Sequence, residues 1–173
     1  MTFDVGAARA AVGGGVRMND LSDLVAADAI LPRLGATSRR QALHSLADAL
    51  AKSAGIEARI AFEAVLMRER LSGTGMGEGV AIPHAQVQGL IRPLGAFARL
   101  DPPQNFDAMD GKPADLVFML LTPSEKGGDH LKALARVSRF LRRADMRERL
   151  RGARGAAELA ALFASPPPKS DAA

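Results

Sequence analysis

The sequence predicts a single-domain mixed α/β sandwich, and three observations lead to this prediction. A chain of 173 residues, 47% of them hydrophobic, is long enough to form one core of ordinary domain size. Two amphipathic helices are predicted before residue 72, and apolar runs of strand length follow them. Further helical patterns come after the last of these runs, so the strands are embedded among helices.

The two ends of the chain differ from its centre. Residues 1–19 contain three consecutive glycines and no sustained hydrophobic periodicity, and residues 165–173 begin with Ser-Pro-Pro-Pro. We therefore expect a weakly ordered N-terminal extension, a folded domain over residues 20–164 and a disordered C-terminal tail. Because Met18 immediately precedes the folded domain, we hypothesise that translation begins there.

The first two predicted helices carry boundary signals. Ser38, with Gln41 three residues later, has the pattern of a capping box, and Gly55 is a typical residue for the helix end. The second helix is predicted over residues 57–71, acidic at its start and basic near its end. Its apolar positions are expected to supply the core with Ile60, Ala61, Ala64, Val65 and Leu71.

The amino-acid composition changes after residue 71, which indicates the start of the sheet. Glycines alternate at positions 73, 75, 77 and 79, in a loop that leads to a short strand over residues 80–82. Pro83 ends that strand because proline lacks an N–H for the ladder. With apolar runs at residues 94–100 and 116–121, the sheet is expected to have three strands.

The C-terminal part of the domain is predicted to be helical. One helix is expected over residues 131–141 and a last one over residues 156–163. Between them, Asp145 and Glu148 have the spacing of a second capping box.

Composition excludes several classes of function. The chain has no cysteine, so it contains no disulfide and no thiolate chemistry. The net charge of +4 is spread over several helices and no Trp or Tyr is present to stack on bases, which argues against nucleic-acid binding. No apolar run is long enough to span a bilayer, so a cytoplasmic protein without membrane insertion is expected.

His84 is the first candidate for a chemical role. The strand and Pro83 place it just beyond a strand end, and the glycines before it allow main-chain N–H groups to approach an anion. A neutral imidazole has a free lone pair at neutral pH and is a nucleophile or a base. An ordinary loop histidine and a plain flexible glycine turn are the alternatives.

His130 and Arg68 are the next candidates. His130 lies in the first turn of a predicted helix, on its apolar stripe, where the helix N-terminus favours an oxyanion. Arg68 borders the apolar stripe of the second helix, and its guanidinium suits two phosphoryl oxygens. The alternatives are a core-edge histidine and a cation at a helix C-terminus. His44 is interpreted as a surface partner of Asp48.

Two other kinds of site are poorly supported by spacing. The three histidines are far apart in sequence and show no zinc-binding pattern, so no metal site is expected. The glycines match neither the dinucleotide fingerprint nor the Walker loop, so no nucleotide cofactor is expected.

The motifs together resemble a known family. An Arg-Glu pair stands at residues 68–69, Gly-Thr-Gly-Met-Gly-Glu-Gly-Val-Ala-Ile-Pro-His at residues 73–84, and Asp-His-Leu at residues 129–131. The sequence resembles the mannitol/fructose class of phosphotransferase-system enzyme IIA domains over residues 21–162, and most closely the nitrogen-regulatory members of that class. The family fold implied is a mixed β-sheet flanked by helices on both faces.

The resemblance implies a chemical role for each candidate. His84 takes the position of the histidine that accepts the phosphoryl group, while His130 and Arg68 take the positions of its two helpers. The glycine loop is expected to offer backbone donors to the phosphoryl group through Thr74, Gly75, Gly77 and Gly79. No metal, nucleotide or other cofactor is implied.

The implied function is that of a phosphohistidine relay component, a type of phosphotransferase. The partners would be an HPr-like phosphocarrier (NPr) and regulatory targets such as a transporter or a sensor kinase. Regulation is the preferred interpretation. One alternative is the IIA component of a fructose- or mannitol-type sugar transporter. Another is a non-enzymatic binding module in which His84 is never phosphorylated.

Overall fold

The computed structural model describes residues 20–125 and 127–164, and within them six strands form one mixed sheet. The strands are β1 Val25–Leu34, β2 Gly75–Gly77, β3 Val80–Ala81, β4 His84–Val87, β5 Leu94–Gln104 and β6 Ala114–Pro123. The helices are α1 Arg39–Ala54, α2 Ala58–Leu71, α3 Gly127–Arg142, α4 Ala144–Gly152 and α5 Ala156–Ala164. The expectations for residues 1–19 and 165–173, and the hypothesis about Met18, lie outside the described residues.

Strand β6 is the centre of the sheet. It pairs antiparallel with β5 on one side and parallel with β3 and β4 on the other. β1 extends the sheet parallel to β5, and β2 pairs antiparallel with β3. The apolar run of β6 contains no charged residue after Asp115 and is buried on both faces, as expected for a strand that lies between two layers of helices.

Strands β3 and β4 follow one line along the edge of β6. Val80 pairs with Leu116 and His84 pairs with Leu120, so the register is the same before and after Pro83. Although Pro83 cannot donate a hydrogen bond, its carbonyl oxygen accepts one from the Leu120 N–H at 2.9 Å. The backbone at His84 is therefore held against the most buried strand of the protein.

Two hydrophobic layers cover the two faces of the sheet, which confirms the expected α/β arrangement with helices on both sides. Helices α1 and α2 pack on one face, around Leu43, Leu46, Val65, Phe106 and Met119. Helices α3, α4 and α5 pack on the other face, around Phe97, Phe118, Val137, Phe140 and Phe163.

The ends of α1 confirm the predicted boundary signals. The Ser38 side chain accepts a hydrogen bond from the Gln41 N–H at 3.1 Å. The Gln41 side chain reaches back to the Thr37 N–H at 2.6 Å, one residue earlier than the usual capping box places it. Gly55 ends the helix with a φ of 68°, and its N–H donates to the Ala51 carbonyl.

Two predictions about helices are wrong. Asp145 is not the N-cap of α4, because the helix begins at Ala144 and Arg143 precedes it; Asp145 pairs with Arg143 at 2.7 Å. On α2, Ala61 and Val65 are buried as expected, but Ile60 and Leu71 are exposed. Both lie on the part of the α2 surface that faces away from the sheet core.

Three of the six strands were not predicted. β1 contains Asp28, Pro32 and Arg33 and has no regular alternation, a composition tolerated because it is an edge strand paired only with β5. β2 and β3 form a small hairpin whose turn residues, Glu78 and Gly79, have φ values of 56° and 77°. β4 begins at His84, directly after the proline that was expected to end the strand.

No helix within residues 20–125 and 127–164 has both the length and the apolar character needed to cross a bilayer.

Candidate functional site

Three distant segments of the chain meet at one cavity of about 410 Å³. His84 comes from the start of β4, Arg68 from the last turn of α2, and His130 from the first turns of α3. The structure thus brings together the three side chains that the sequence singled out. The cavity is completed by Ala64, Met67, Leu71, Ala85 and Gln86.

His84 is half-buried, and one of its ring nitrogens is engaged by the backbone. Nδ1 lies 2.7 Å from the carbonyl oxygen of Ile82. Because a carbonyl oxygen only accepts, Nδ1 carries the proton and donates it to this bond. In the neutral ring the lone pair is then on Nε2, which is the nucleophilic nitrogen.

The surroundings of His84 favour its neutral form. Burial lowers the pKa of the imidazole below its usual value, and the positive charge of Arg68 lowers it further. The hydrogen bond to Ile82 acts in the opposite direction, but the net change in pKa is downward. A neutral, nucleophilic ring is therefore available at neutral pH.

His130 lies beside His84. The two ring centroids are 5.4 Å apart and the ring planes are tilted by 46°. Burial lowers the pKa of His130, and the neighbouring His84 and Arg68 lower it further. Its Nδ1 atom lies 2.6 Å from the hydroxyl oxygen of Thr122, a fully buried residue of β6.

Arg68 supplies the positive charge of the cavity. One guanidinium nitrogen donates to the carbonyl oxygen of Ser72 at 2.9 Å, which ties the side chain to the C-terminal end of α2. In the described part of the chain it forms no salt bridge with a carboxylate. Its remaining N–H groups are thus free to bind an anion in the cavity.

The glycine loop takes a different position from the one expected. None of Thr74, Gly75, Gly77 and Gly79 is among the residues that line the cavity. The N–H groups of Thr74 and Gly75 donate to Glu69 and to the Phe106 carbonyl, so neither is free for an anion. Gly77 and Gly79 belong to the β2–β3 hairpin, and Gly79 lies against Arg151 and Asp115.

Two residues near the site were given no role by the sequence analysis, although Glu69 belongs to the Arg-Glu pair of the family motif. Glu69 is only 4% exposed and accepts hydrogen bonds from both the N–H and the hydroxyl of Thr74, the latter at 2.6 Å. Its burial raises its pKa, against the opposing effects of Thr74 and Arg39. A carboxylate next to the apolar positions of α2 was the available signal. For Thr122, the signal was a hydroxyl that directly follows the apolar run of residues 116–121.

The remaining histidine lies elsewhere. His44 is an exposed residue of α1 whose Nδ1 is 3.4 Å from the Asp48 carboxylate, as the i, i+4 spacing predicted. It does not line the cavity. Within residues 20–125 and 127–164, no group of three or more His, Asp or Glu side chains has an arrangement able to hold a metal ion.

Comparisons with known proteins show the family of this chain. The family model described as "Phosphoenolpyruvate-dependent sugar phosphotransferase system, EIIA 2" matches residues 23–165. The nitrogen regulatory protein of Bradyrhizobium diazoefficiens is 49% identical over 147 residues, which cover 85% of this chain and 96% of that protein. A fructose-specific EIIA component of Haloferax volcanii is 37% identical over 134 residues, which cover 77% of this chain and 87% of that protein.

Solved structures give the same result. The crystal structure of the nitrogen regulatory protein IIA-Ntr from Neisseria meningitidis superposes with a TM-score of 0.77 at 31% sequence identity, covering 83% of this chain and 98% of that one. This chain belongs to the type-2 enzyme IIA family of the phosphoenolpyruvate-dependent sugar phosphotransferase system.

Proposed function

We propose that this protein is a histidine phosphoryl carrier that accepts a phosphoryl group on Nε2 of His84 from an HPr-like (NPr) phosphocarrier. The observation that carries the proposal is the state of the His84 ring. Its Nδ1 proton is held by the Ile82 carbonyl, which leaves the Nε2 lone pair beside the cationic Arg68. Family membership supplies the reaction class, phosphoryl transfer.

The transfer requires one bond to form and one to break. The Nε2 lone pair of His84 attacks the phosphorus of a phosphohistidine on the carrier, in line with the bond to the leaving nitrogen. As that P–N bond breaks, its electron pair stays on the carrier's imidazole. The Nδ1 proton of His84 remains in its hydrogen bond to Ile82, which stabilises the positive charge that develops on the ring.

Arg68 and His130 assist this transfer as charge-stabilising partners. The planar Arg68 guanidinium binds phosphoryl oxygens with the N–H groups that Ser72 does not use. His130, 5.4 Å from His84 between ring centroids, donates a hydrogen bond to a third oxygen. Thr74, Gly75, Gly77 and Gly79 do not line the cavity, so the proposal gives them no contact with the phosphoryl group.

The surface around the cavity suits a protein donor. Met67 and Leu71 line the cavity and are 69% and 80% exposed, and Leu131, next to His130, is 69% exposed. Ile60 continues the same face of α2. Exposed apolar side chains grouped around a reactive residue are typical of a protein interaction surface. We therefore place the phosphocarrier on this surface, around the cavity.

We propose further that the protein acts as a phosphorylation-dependent regulator of the nitrogen phosphotransferase system. A phosphoryl group adds about 1.5 to 2 negative charges, which changes the proteins that the surface binds. The similarity to proteins named nitrogen regulatory protein supports this function. Its targets would be proteins such as a transporter or a sensor kinase, in the cytoplasm.

A second candidate function has the same chemistry at His84 but a different protein as the acceptor of the phosphoryl group. The similarity to a fructose-specific EIIA component favours a role in sugar transport, with donation from His84 to a IIB domain. Deletion of the gene in its native organism separates the two. Growth on fructose and mannitol is unchanged if the protein is a regulator, and is lost on one of the sugars if it is a transporter component.

The experiment that tests the proposal is reconstituted phosphorylation. Incubation with phosphoenolpyruvate, enzyme I and the HPr-like carrier is expected to give an acid-labile phosphoryl group on the wild type and on His44→Ala, but none on His84→Ala. His44→Ala is the matched control, since it removes a histidine outside the cavity. Equal labelling of the wild type and His84→Ala refutes the site, and no labelling of any variant indicates a non-enzymatic binding module.

A further inference from the structure

Thr122 lies directly behind His130. It belongs to β6, where it pairs with Gln86, two residues beyond the pair formed by Leu120 and His84. Residues two apart on a strand point to the same face, so Thr122 and His84 belong to the same side of the sheet. The hydroxyl of Thr122 lies 2.6 Å from Nδ1 of His130 and is inaccessible to solvent.

The direction of this hydrogen bond follows from the burial of the hydroxyl. Among the described residues, Nδ1 of His130 is the one hydrogen-bond partner of the Thr122 hydroxyl. If Nδ1 carried a proton and donated it, the hydroxyl hydrogen would be buried without an acceptor. A buried hydroxyl donor without an acceptor is strongly unfavourable. The arrangement that satisfies both groups has the hydroxyl donating to a bare Nδ1.

We propose that Thr122 is a positioning residue for phosphoryl transfer, whose buried hydroxyl holds His130 as the Nε2–H tautomer. The expected effect on phosphoryl transfer rests on the proposed function, whereas the tautomer assignment does not. In this tautomer the neutral ring presents an N–H group to the oxygens of a phosphoryl group on His84. The opposite tautomer presents a lone pair to an anion, which is repulsive.

The alternative of a charged His130 donor is disfavoured by its surroundings. Burial and the neighbouring Arg68 both lower the pKa of His130. A neutral ring has one N–H group only, so the identity of the protonated nitrogen decides whether His130 helps or opposes the anion. A backbone carbonyl selects the tautomer of His84, and the Thr122 hydroxyl selects the tautomer of His130. The two tautomers are opposite, because the carbonyl accepts a hydrogen bond from Nδ1 whereas the hydroxyl donates one to Nδ1.

The first test is the tautomer itself. Long-range ¹H–¹⁵N correlation spectra of the full-length, ¹⁵N-histidine-labelled protein contain signals from three histidines, which His44→Ala and His84→Ala assign. In the unphosphorylated wild type at neutral pH, we expect Nε2 of His130 to be protonated and Nδ1 to be bare. A protonated Nδ1 overturns the proposal, and this measurement needs no variant at Thr122.

The second test compares two substitutions. Thr122→Val keeps the shape of the side chain and removes the hydroxyl, so it is expected to give a mixture of His130 tautomers. Phosphoryl transfer to His84 is expected to slow by about tenfold, by analogy with residues that orient metal-binding histidines through a hydrogen bond. Thr122→Ser keeps the hydroxyl and is expected to restore both the tautomer and the rate. Wild-type tautomer and rate in Thr122→Val overturn the proposal.

The outcomes separate this inference from the proposed function. If the wild type shows the Nε2–H tautomer but His84 is never labelled, the proposed function fails and the Thr122–His130 assignment stands. If His84 is labelled but His130 shows a protonated Nδ1, the carrier function stands and the inference fails.

Discussion

The Nδ1 atom of His84 lies 2.7 Å from the carbonyl oxygen of Ile82, two residues earlier in the chain. Between them stands Pro83, whose ring restricts the backbone dihedral φ and so limits the paths that the chain can take between the two residues. The bond assigns the proton to Nδ1 and the lone pair to Nε2. A short sequence, Ile-Pro-His, thereby determines which nitrogen of the ring is nucleophilic.

The titration of His84 gives the first prediction. Because burial and Arg68 lower its pKa, the midpoint of the His84 titration should lie below the usual value of 6.5, and the rate of phosphoryl acceptance should rise with pH through that midpoint and then level off. Arg68→Ala should move the pKa upward, since a repelling charge is removed. Histidine ring NMR signals followed from pH 4 to 8 measure the pKa of His84 in the wild type and in Arg68→Ala. A midpoint above 6.5 in the wild type contradicts the prediction.

Arg68 and His130 are expected to affect the rate without affecting the fold. Arg68→Ala and His130→Ala should each slow transfer to His84 by about 10²-fold, the usual effect of removing one charge-stabilising donor. Single-turnover labelling from the phosphorylated carrier measures the rate. Arg59→Ala is the control on the same helix, because Arg59 is exposed and pairs only with Glu63 among the described residues. Wild-type rates in both cavity variants would make Arg68 and His130 structural residues.

The exposed face of α2 is expected to bind the phosphocarrier. Leu71→Ser removes an apolar side chain that is 80% exposed, so stability should be unchanged while KM for the carrier rises by about tenfold, as for one moderate interface contact. Met109→Ser is the control, because Met109 is fully exposed and does not line the cavity. An equal KM in the two variants argues against this docking surface.

Glu69 is expected to contribute to stability. Glu69→Ala leaves the N–H and the hydroxyl of Thr74 without their buried acceptor, which should lower the free energy of unfolding by about 2 kcal/mol or more. Urea denaturation measures this change. The control Glu63→Ala removes an exposed carboxylate of the same helix and should change stability by less than about 0.5 kcal/mol.

The parts of the fold with strong local signals could be predicted from the sequence. The cap at Ser38 and the end at Gly55 depend on neighbouring residues alone, and the central strand β6 is a continuous apolar run. The edge strands could not be predicted in this way. β1 contains Asp28 and Pro32, and β4 starts after a proline, because an edge strand lacks a partner on one side and tolerates such residues.

The residues of the candidate site also differ in whether the sequence predicts them. His84, His130 and Arg68 were found because their residue types have a known chemistry and their motifs resemble a family. Glu69 and Thr122 were given no role because their importance depends on burial in the folded protein, which the sequence pattern signals only weakly. The role expected for the glycine loop rested on local flexibility, whereas the structure uses the same residues for a hairpin and for contacts with Glu69 and Phe106.

The three candidate side chains of the cavity, Arg68, His84 and His130, are attached to different layers of the protein. Arg68 moves with the helices on one face of the sheet, His130 with those on the other, and His84 with the sheet edge itself. A partner or a remote substitution that slides either helical layer over the sheet is therefore expected to misalign the three groups and slow the chemistry. The reactivity of His84 would then depend on structural changes that arise far from the cavity.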